Sequence, residues 1–134
     1  MQLEEKKKIL DSISRLSEIA NKKNWISHYD TDSDSLAIRK PNLSKDAQKR
    51  YITDEFAFYL NSESNLEGIF IEYFISNFVQ HHKDVKAIVK NLKKKVKEEE
   101  VIELRKRETQ KLVPQLEIVI LNSLIRDGGF QKVR

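Results

Sequence analysis

The sequence predicts an α+β fold: an N-terminal helix packed on a four-stranded antiparallel meander, followed by a long charged helix and a short apolar C-terminal helix. Three observations predict it. The segment from Leu3 to about Ala20 places its apolar residues at helical spacing. Trp25 to Ile75 breaks into alternating runs separated by short polar turns. From Asn77 to Leu112 no Gly or Pro interrupts a charged stretch, and the apolar Leu116–Ile125 follows it. The 134 residues include only 3 Gly and 2 Pro, which favours long elements over many loops.

In the first helix, Ile9, Ile13, Leu16 and Ala20 make one stripe, with Leu10 and Ile19 beside it. Glu4, Glu5, Lys6, Lys7, Lys8 and Arg15 fall largely off that stripe, so the helix has one face to bury. Asn21 and Asn24 suit its end. Trp25, Ser27 and Tyr29 then alternate with Ile26, His28 and Asp30, and Leu36 and Ile38 share a side of Ser35–Arg39. The link Asp30–Asp34 is rich in turn formers, which makes these two strands a hairpin. Pro41–Arg50 reads as a polar connection. Tyr51–Leu60 carries Phe56, Phe58 and Leu60 on one face, Asn61–Asn65 is a turn, and Ile69, Ile71, Tyr73 and Ile75 share a face of the last strand. Short turns between successive strands favour a meander with one buried face.

Asn77 with Gln80 three residues on resembles a capping pair opening a helix to Leu112. At a rise of 1.5 Å per residue that helix would run roughly 50 Å. A compact chain of this length has a radius of gyration near ~14 Å, so the helix projects or bends. Its stripe of Val85, Ile88, Val89, Leu92 and Val96 breaks at Lys97-Glu98-Glu99-Glu100 and resumes on a shifted register at Val101, Ile102 and Leu104, which marks a bend or a change of packing partner. Pro114 suits the first turn of a new helix and Gly128-Gly129 its end. Between them Leu116, Ile118, Val119, Ile120, Leu121, Leu124 and Ile125 go nearly all the way round, and such a helix must be enclosed. A strand over Leu116–Leu121 competes with it, because three of those residues are β-branched; the helix is preferred. The chain then divides into a helix-plus-meander body, residues 1–76, and a helical interaction region, residues 77–134.

The composition excludes several chemistries. There is no cysteine, so disulfides, thiolate catalysis and Cys-based zinc sites are out. No run approaches the roughly 20 apolar residues of a membrane span. The opening MQLEEKKKIL lacks an apolar signal core, which reads as cytoplasmic. Asp30, Asp32 and Asp34 start like an EF-hand loop, but Ser35 and Pro41 stand where that loop needs Gly and a bidentate Glu. The aspartates therefore read as turn formers. His81 and His82 are adjacent, about 100° apart on a helix, and cannot grip one metal together. His28 reads as an interior or edge strand residue. No glycine-rich phosphate loop or nucleophile signature is present, so no catalytic residue, cofactor, metal or small-molecule substrate is expected.

Charge is the more informative signal. Lys83–Lys111 holds eleven Lys/Arg and six Asp/Glu, net +5, against +4 for the whole chain. The basic residues cluster as Lys90, Lys93, Lys94, Lys95 and Lys97, then Arg105, Lys106, Arg107 and Lys111. Such clusters can lie along phosphates. A solvated face laced with pairs such as Glu103–Arg107 is the bland alternative.

Tyr29, Asp30, Asp34 and Leu36 form a Tyr-Asp-x-x-x-Asp-x-Leu signature, and Leu66, Gly68, Ile69 and Ile71 a later apolar-x-Gly-apolar-x-apolar strand. On these motifs the central stretch resembles a domain-of-unknown-function family of short bacterial and archaeal proteins. The resemblance implies a small antiparallel sheet with a packing helix, and a prokaryotic, antitoxin-like or regulatory partner that binds rather than catalyses. The longer, more basic Pro41–Arg50 segment and the two flanking helical regions depart from that pattern.

The expected function is thus a non-catalytic adaptor or regulatory subunit. It would dock on a protein partner or a second copy through Leu116, Val119, Ile120 and Leu124, burying side chains worth about 1.5–3 kcal/mol each. The alternative is a nucleic-acid-binding regulator, DNA or RNA, using Lys90, Lys93, Lys94, Lys97, Arg105 and Arg107 of the basic helix 83–111.

Overall fold

The computed structural model describes residues 3–90 and 101–126, with Arg126 described by its backbone alone. The N-terminal stripe folds as two helices, α1 (Leu3–Ser14) and α2 (Leu16–Lys22), jointed at Arg15. Ile9, Ile13, Leu16 and Ala20 are all buried, as their spacing predicts. Asn24, at φ 54°, ends the helical segment in the left-handed conformation that Asn tolerates well. Among the described residues six strands follow: β1 (Ile26–Asp30), β2 (Ser35–Arg39), β3 (Gln48–Tyr51), β4 (Phe56–Leu60), β5 (Leu66–Ile71) and, much later, β6 (Val101–Glu103).

The sheet is wholly antiparallel with the order β3-β4-β5-β2-β1-β6, which corrects the four-stranded meander in three ways. The end of the polar connection, Gln48–Tyr51, is itself a strand, and a turn over residues 52–55 separates it from β4. The stretch Val101–Glu103, expected within a helix, adds an edge strand to β1. And β5 pairs back with β2, so strands adjacent in sequence are not adjacent throughout. Gly68 makes that last pairing: a Cβ there would lie 2.5 Å from Cβ of Arg39, so only a residue without a side chain lets β5 approach β2 so closely. The buried Glu67 beside it takes hydrogen bonds from Ser44 N–H (2.8 Å), Ser44 Oγ (2.5 Å) and Asn61 Nδ2 (3.1 Å), and Lys40 Nζ lies 3.6 Å away. These contacts pin the polar connection to the sheet.

Past β5 the chain departs further from expectation. The last strand stops at Ile71; Tyr73 turns left-handed at φ 48° and is exposed. A π-helical turn (Phe74–Phe78) and a 3-10 turn (Val79–His81) follow, before α3 (Lys83–Val89). The Asn77–Gln80 pair caps nothing; Gln80 Nε2 donates back to the Ile75 carbonyl. A single helix from Asn77 to Leu112 is thus ruled out, and the expected break at 97–100 lies outside the described residues. The last helix, α4 (Lys106–Arg126), begins well before Pro114, which sits inside it rather than in its first turn. Its Leu116–Leu121 segment is helical, not a strand. The expected end at Gly128-Gly129 also lies outside the described residues.

Helix α4 packs on α1, α2, α3 and β1, so the helices gather over one face of the sheet. One continuous core joins Ile9 and Ile13 of α1, Leu36 and Ile38 of β2, Phe58 of β4, Phe74 and Phe78 of the π-turn, and Leu116 and Ile120 of α4. The division at residue 76 therefore does not separate two cores. The Tyr-Asp-x-x-x-Asp-x-Leu signature acts within this fold. Asp30 Oδ1 accepts the Asp32 and Ser33 N–H groups of the hairpin turn, Leu36 is core, and Tyr29 Oη donates to Asp34 at 2.6 Å. Asp34 also accepts from Ile75 N–H (2.8 Å), Ser76 N–H (3.1 Å) and Ser76 Oγ (2.6 Å), clamping the hairpin to the π-turn.

Candidate nucleic-acid interface

Among the described residues two surfaces carry the relevant charge and aromatic rings: a basic cleft on the helical layer and the open face of the sheet. The cleft forms where the end of α3 meets the start of α4. Val85 and Val89 anchor α3 in the core, which leaves Lys90 at its exposed end. Leu104 is buried just before α4, so Arg105 projects at the helix start, with Arg107 and Lys111 one turn apart beyond it. Lys90, Arg105, Arg107 and Lys111 line one cavity of about 380 Å³ over Ala87 and Ile88. The acid among its lining residues, Glu108, is oriented by the backbone: its Oε1 accepts the Arg105 N–H at 3.1 Å, and Arg105 O accepts the Thr109 N–H. That is the glutamate half of a capping box. The cleft thus holds four cations and one carboxylate at the start of α4.

Of the residues expected to contact nucleic acid, Lys90, Arg105 and Arg107 are brought together, although fourteen intervening positions separate Lys90 from Arg105 in the chain. Lys93, Lys94 and Lys97 lie outside the described residues. Lys111, which the sequence placed in the second basic cluster, joins the cleft because it falls one turn after Arg107. The expected protein-docking residues are corrected by the same helix. Leu116 and Ile120 are wholly buried, Leu124 is 5% exposed, and Val119 is partly buried against the core. Their apolar chemistry is satisfied within the chain's own fold. The side of α4 that does reach solvent carries Ile118 and Ile125, 52% and 68% exposed.

On the open sheet face, cross-strand register aligns one row across all six strands: Tyr51, Ala57, Phe70, Ala37, His28 and Glu103. Lys49 Nζ stands 3.6 Å above the Phe70 ring, and Tyr59 meets that ring edge-on at a centroid distance of 6.5 Å. Tyr51 Oη donates to Glu72 at 2.5 Å, and this carboxylate together with burial raises the tyrosine pKa to about 12. His28 Nε2 lies 3.1 Å from Glu103 Oε1. This aromatic row was not read from the sequence. The signal was the alternation itself, since residues opposite the core face of β1, β2 and β5 had to share the other side. The strand β3, which supplies Lys49 and Tyr51, was hidden in a polar connection.

Among the described residues no group of three or more His, Cys, Asp or Glu could hold a metal ion, and no helix is long and apolar enough to cross a membrane. No family model, curated protein or solved structure matches the chain.

Proposed function

We propose that this chain is a non-catalytic nucleic-acid-binding protein that seats phosphates in the cleft between α3 and α4. The observation that carries this reading is the convergence of Lys90, Arg105, Arg107 and Lys111 on one concavity, four cations against the one acid, Glu108, among its described lining residues. Four cations held around a hollow with a single carboxylate leave an excess of positive charge that an anion would balance. A protein that acts by binding suits the regulatory, antitoxin-like role that the sequence motifs imply. Phosphate contacts of this kind give affinity rather than sequence choice.

The test is fluorescence anisotropy with a labelled oligonucleotide at low salt. The double reversal Arg107→Glu with Lys111→Glu is expected to weaken binding by more than about tenfold while the circular dichroism spectrum is unchanged. Unchanged affinity in a folded double variant overturns the reading.

A second reading keeps the adaptor idea on a different face. Ile118 and Ile125 of α4 are exposed, seven residues apart and so on one side of the helix. A protein partner or second copy would seat there, not on Leu116, Ile120 and Leu124.

A further inference from the structure

The open sheet face holds a slot of about 280 Å³ between Phe70 of β5 and His28 of β1, floored by Ala37 of β2. We infer that this slot receives an unpaired base of a single nucleic-acid strand, an inference that rests on the nucleic-acid reading above and names its ligand. Neighbouring strands lie about 4.8 Å apart, so two rings flanking one intervening strand stand about 10 Å apart. Alanine between them leaves the space that a flat heteroaromatic ring fills. Base–aromatic stacking is tolerant of sequence because every base has a π-face. His28 is held from outside the slot by Glu103, and Phe70 is braced on its other side by Tyr59 of β4.

Charge selects the occupant. Arg39 lines one end of the slot, its Nη1 donating to the Lys40 and Pro41 carbonyls, and Lys49 reaches over Phe70 from two strands away. Asp30 lines the other end, with Oδ1 committed to the hairpin turn, and Glu103 lies beyond His28. Lys49 on the β3 side and Glu103 on the β6 side set the path of a phosphodiester backbone past Phe70 and Lys49, where Tyr51 holds the nearby acid, Glu72, while the base enters between the rings. A duplex keeps its bases stacked inside and cannot offer one to this slot. An unpaired strand offers bases to aromatic side chains directly.

The experiment compares a labelled twelve-residue oligothymidylate with an abasic strand of the same length and charge, at moderate salt. The intact protein is expected to bind the base-bearing strand at least about tenfold more tightly. Ala37→Leu, which fills the slot, and Phe70→Leu, which removes one ring, are each expected to bring that ratio close to one with the circular dichroism spectrum unchanged. Equal binding of the two strands, or a ratio that survives both variants, overturns the inference. The cleft variant Arg107→Glu/Lys111→Glu is expected to weaken both strands alike and preserve the ratio. If it changes nothing while the ratio holds, the cleft reading fails and the slot stands; if neither strand binds, both fail. Thymidine monophosphate is the last arm. It is expected to move the His28 ring proton resonances only weakly, and saturation at the concentration that suffices for the oligonucleotide would make the ligand a free nucleotide and overturn the strand.

Discussion

At Asp34 a single carboxylate ties β1 to the π-turn, through Tyr29 on one side and Ile75 and Ser76 on the other. Burial pushes its pKa up, but hydrogen bonds from the Ser76 and Tyr29 hydroxyls and from two backbone N–H groups outweigh that, leaving it below the ordinary carboxylate value. Glu67 is lowered in the same way, burial being outweighed by the Ser44 hydroxyl and N–H, Lys40 and Asn61. A carboxylate whose pKa is depressed on folding stabilises the protein above its unfolded value, near ~4, and that stability is lost as the pH falls through the folded value. Asp34→Asn is therefore expected to lose about 1–3 kcal/mol at pH 7, because the amide nitrogen cannot accept the Ser76 bonds. In urea melts its deficit against the parent protein should shrink below about pH 3. A deficit that stays constant with pH contradicts this role for the charge.

Helices α1 to α4 show how a local pattern acquires its meaning from what lies next to it. Leu116–Ile125 is apolar nearly all round, and the inference that it must be enclosed was sound for Leu116, Ile120 and Leu124. What covers them is the chain's own α1, α2 and α3 rather than another molecule. Ile120→Ala is expected to cost about 2–5 kcal/mol by leaving a cavity, read by denaturant unfolding. A loss below about 0.5 kcal/mol would mean that the helix is not seated in this core. The N-terminal stripe, the first hairpin and the core faces of β4 and β5 were legible because a period of 3.6 or 2 reports directly on a buried face. The strands β3 and β6 were not, because both sit at sheet edges. Gln48-Lys49-Arg50-Tyr51 alternates no apolar residue, and Val101–Glu103 is three residues long within a helix-compatible run. Pro114 misled in another way: its ring ordinarily opens a helix, yet here it stands inside one.

Across the whole molecule, the helical layer and the open sheet face divide the work. The sheet is closed on one side by α1 to α4; Lys90, Arg105, Arg107 and Lys111 gather at the α3–α4 cleft, and Lys49 stands over Phe70 on the open face. The cleft was half visible beforehand, as two basic clusters in one presumed helix. It took the turn back through β6 to bring Lys90 against Arg105 and Arg107, a long-range pairing that no local pattern encodes. The central claim is that these side chains neutralise phosphates. Each phosphate neutralised on a single strand contributes about −0.7 to the slope of log affinity against log salt. The decisive measurement is that slope for a labelled oligonucleotide, for the parent chain and for a Lys90→Ala, Arg107→Ala, Lys111→Ala variant. The slope is expected to become less steep by roughly 2 in the triple variant. Identical slopes in a variant that remains folded would contradict the account.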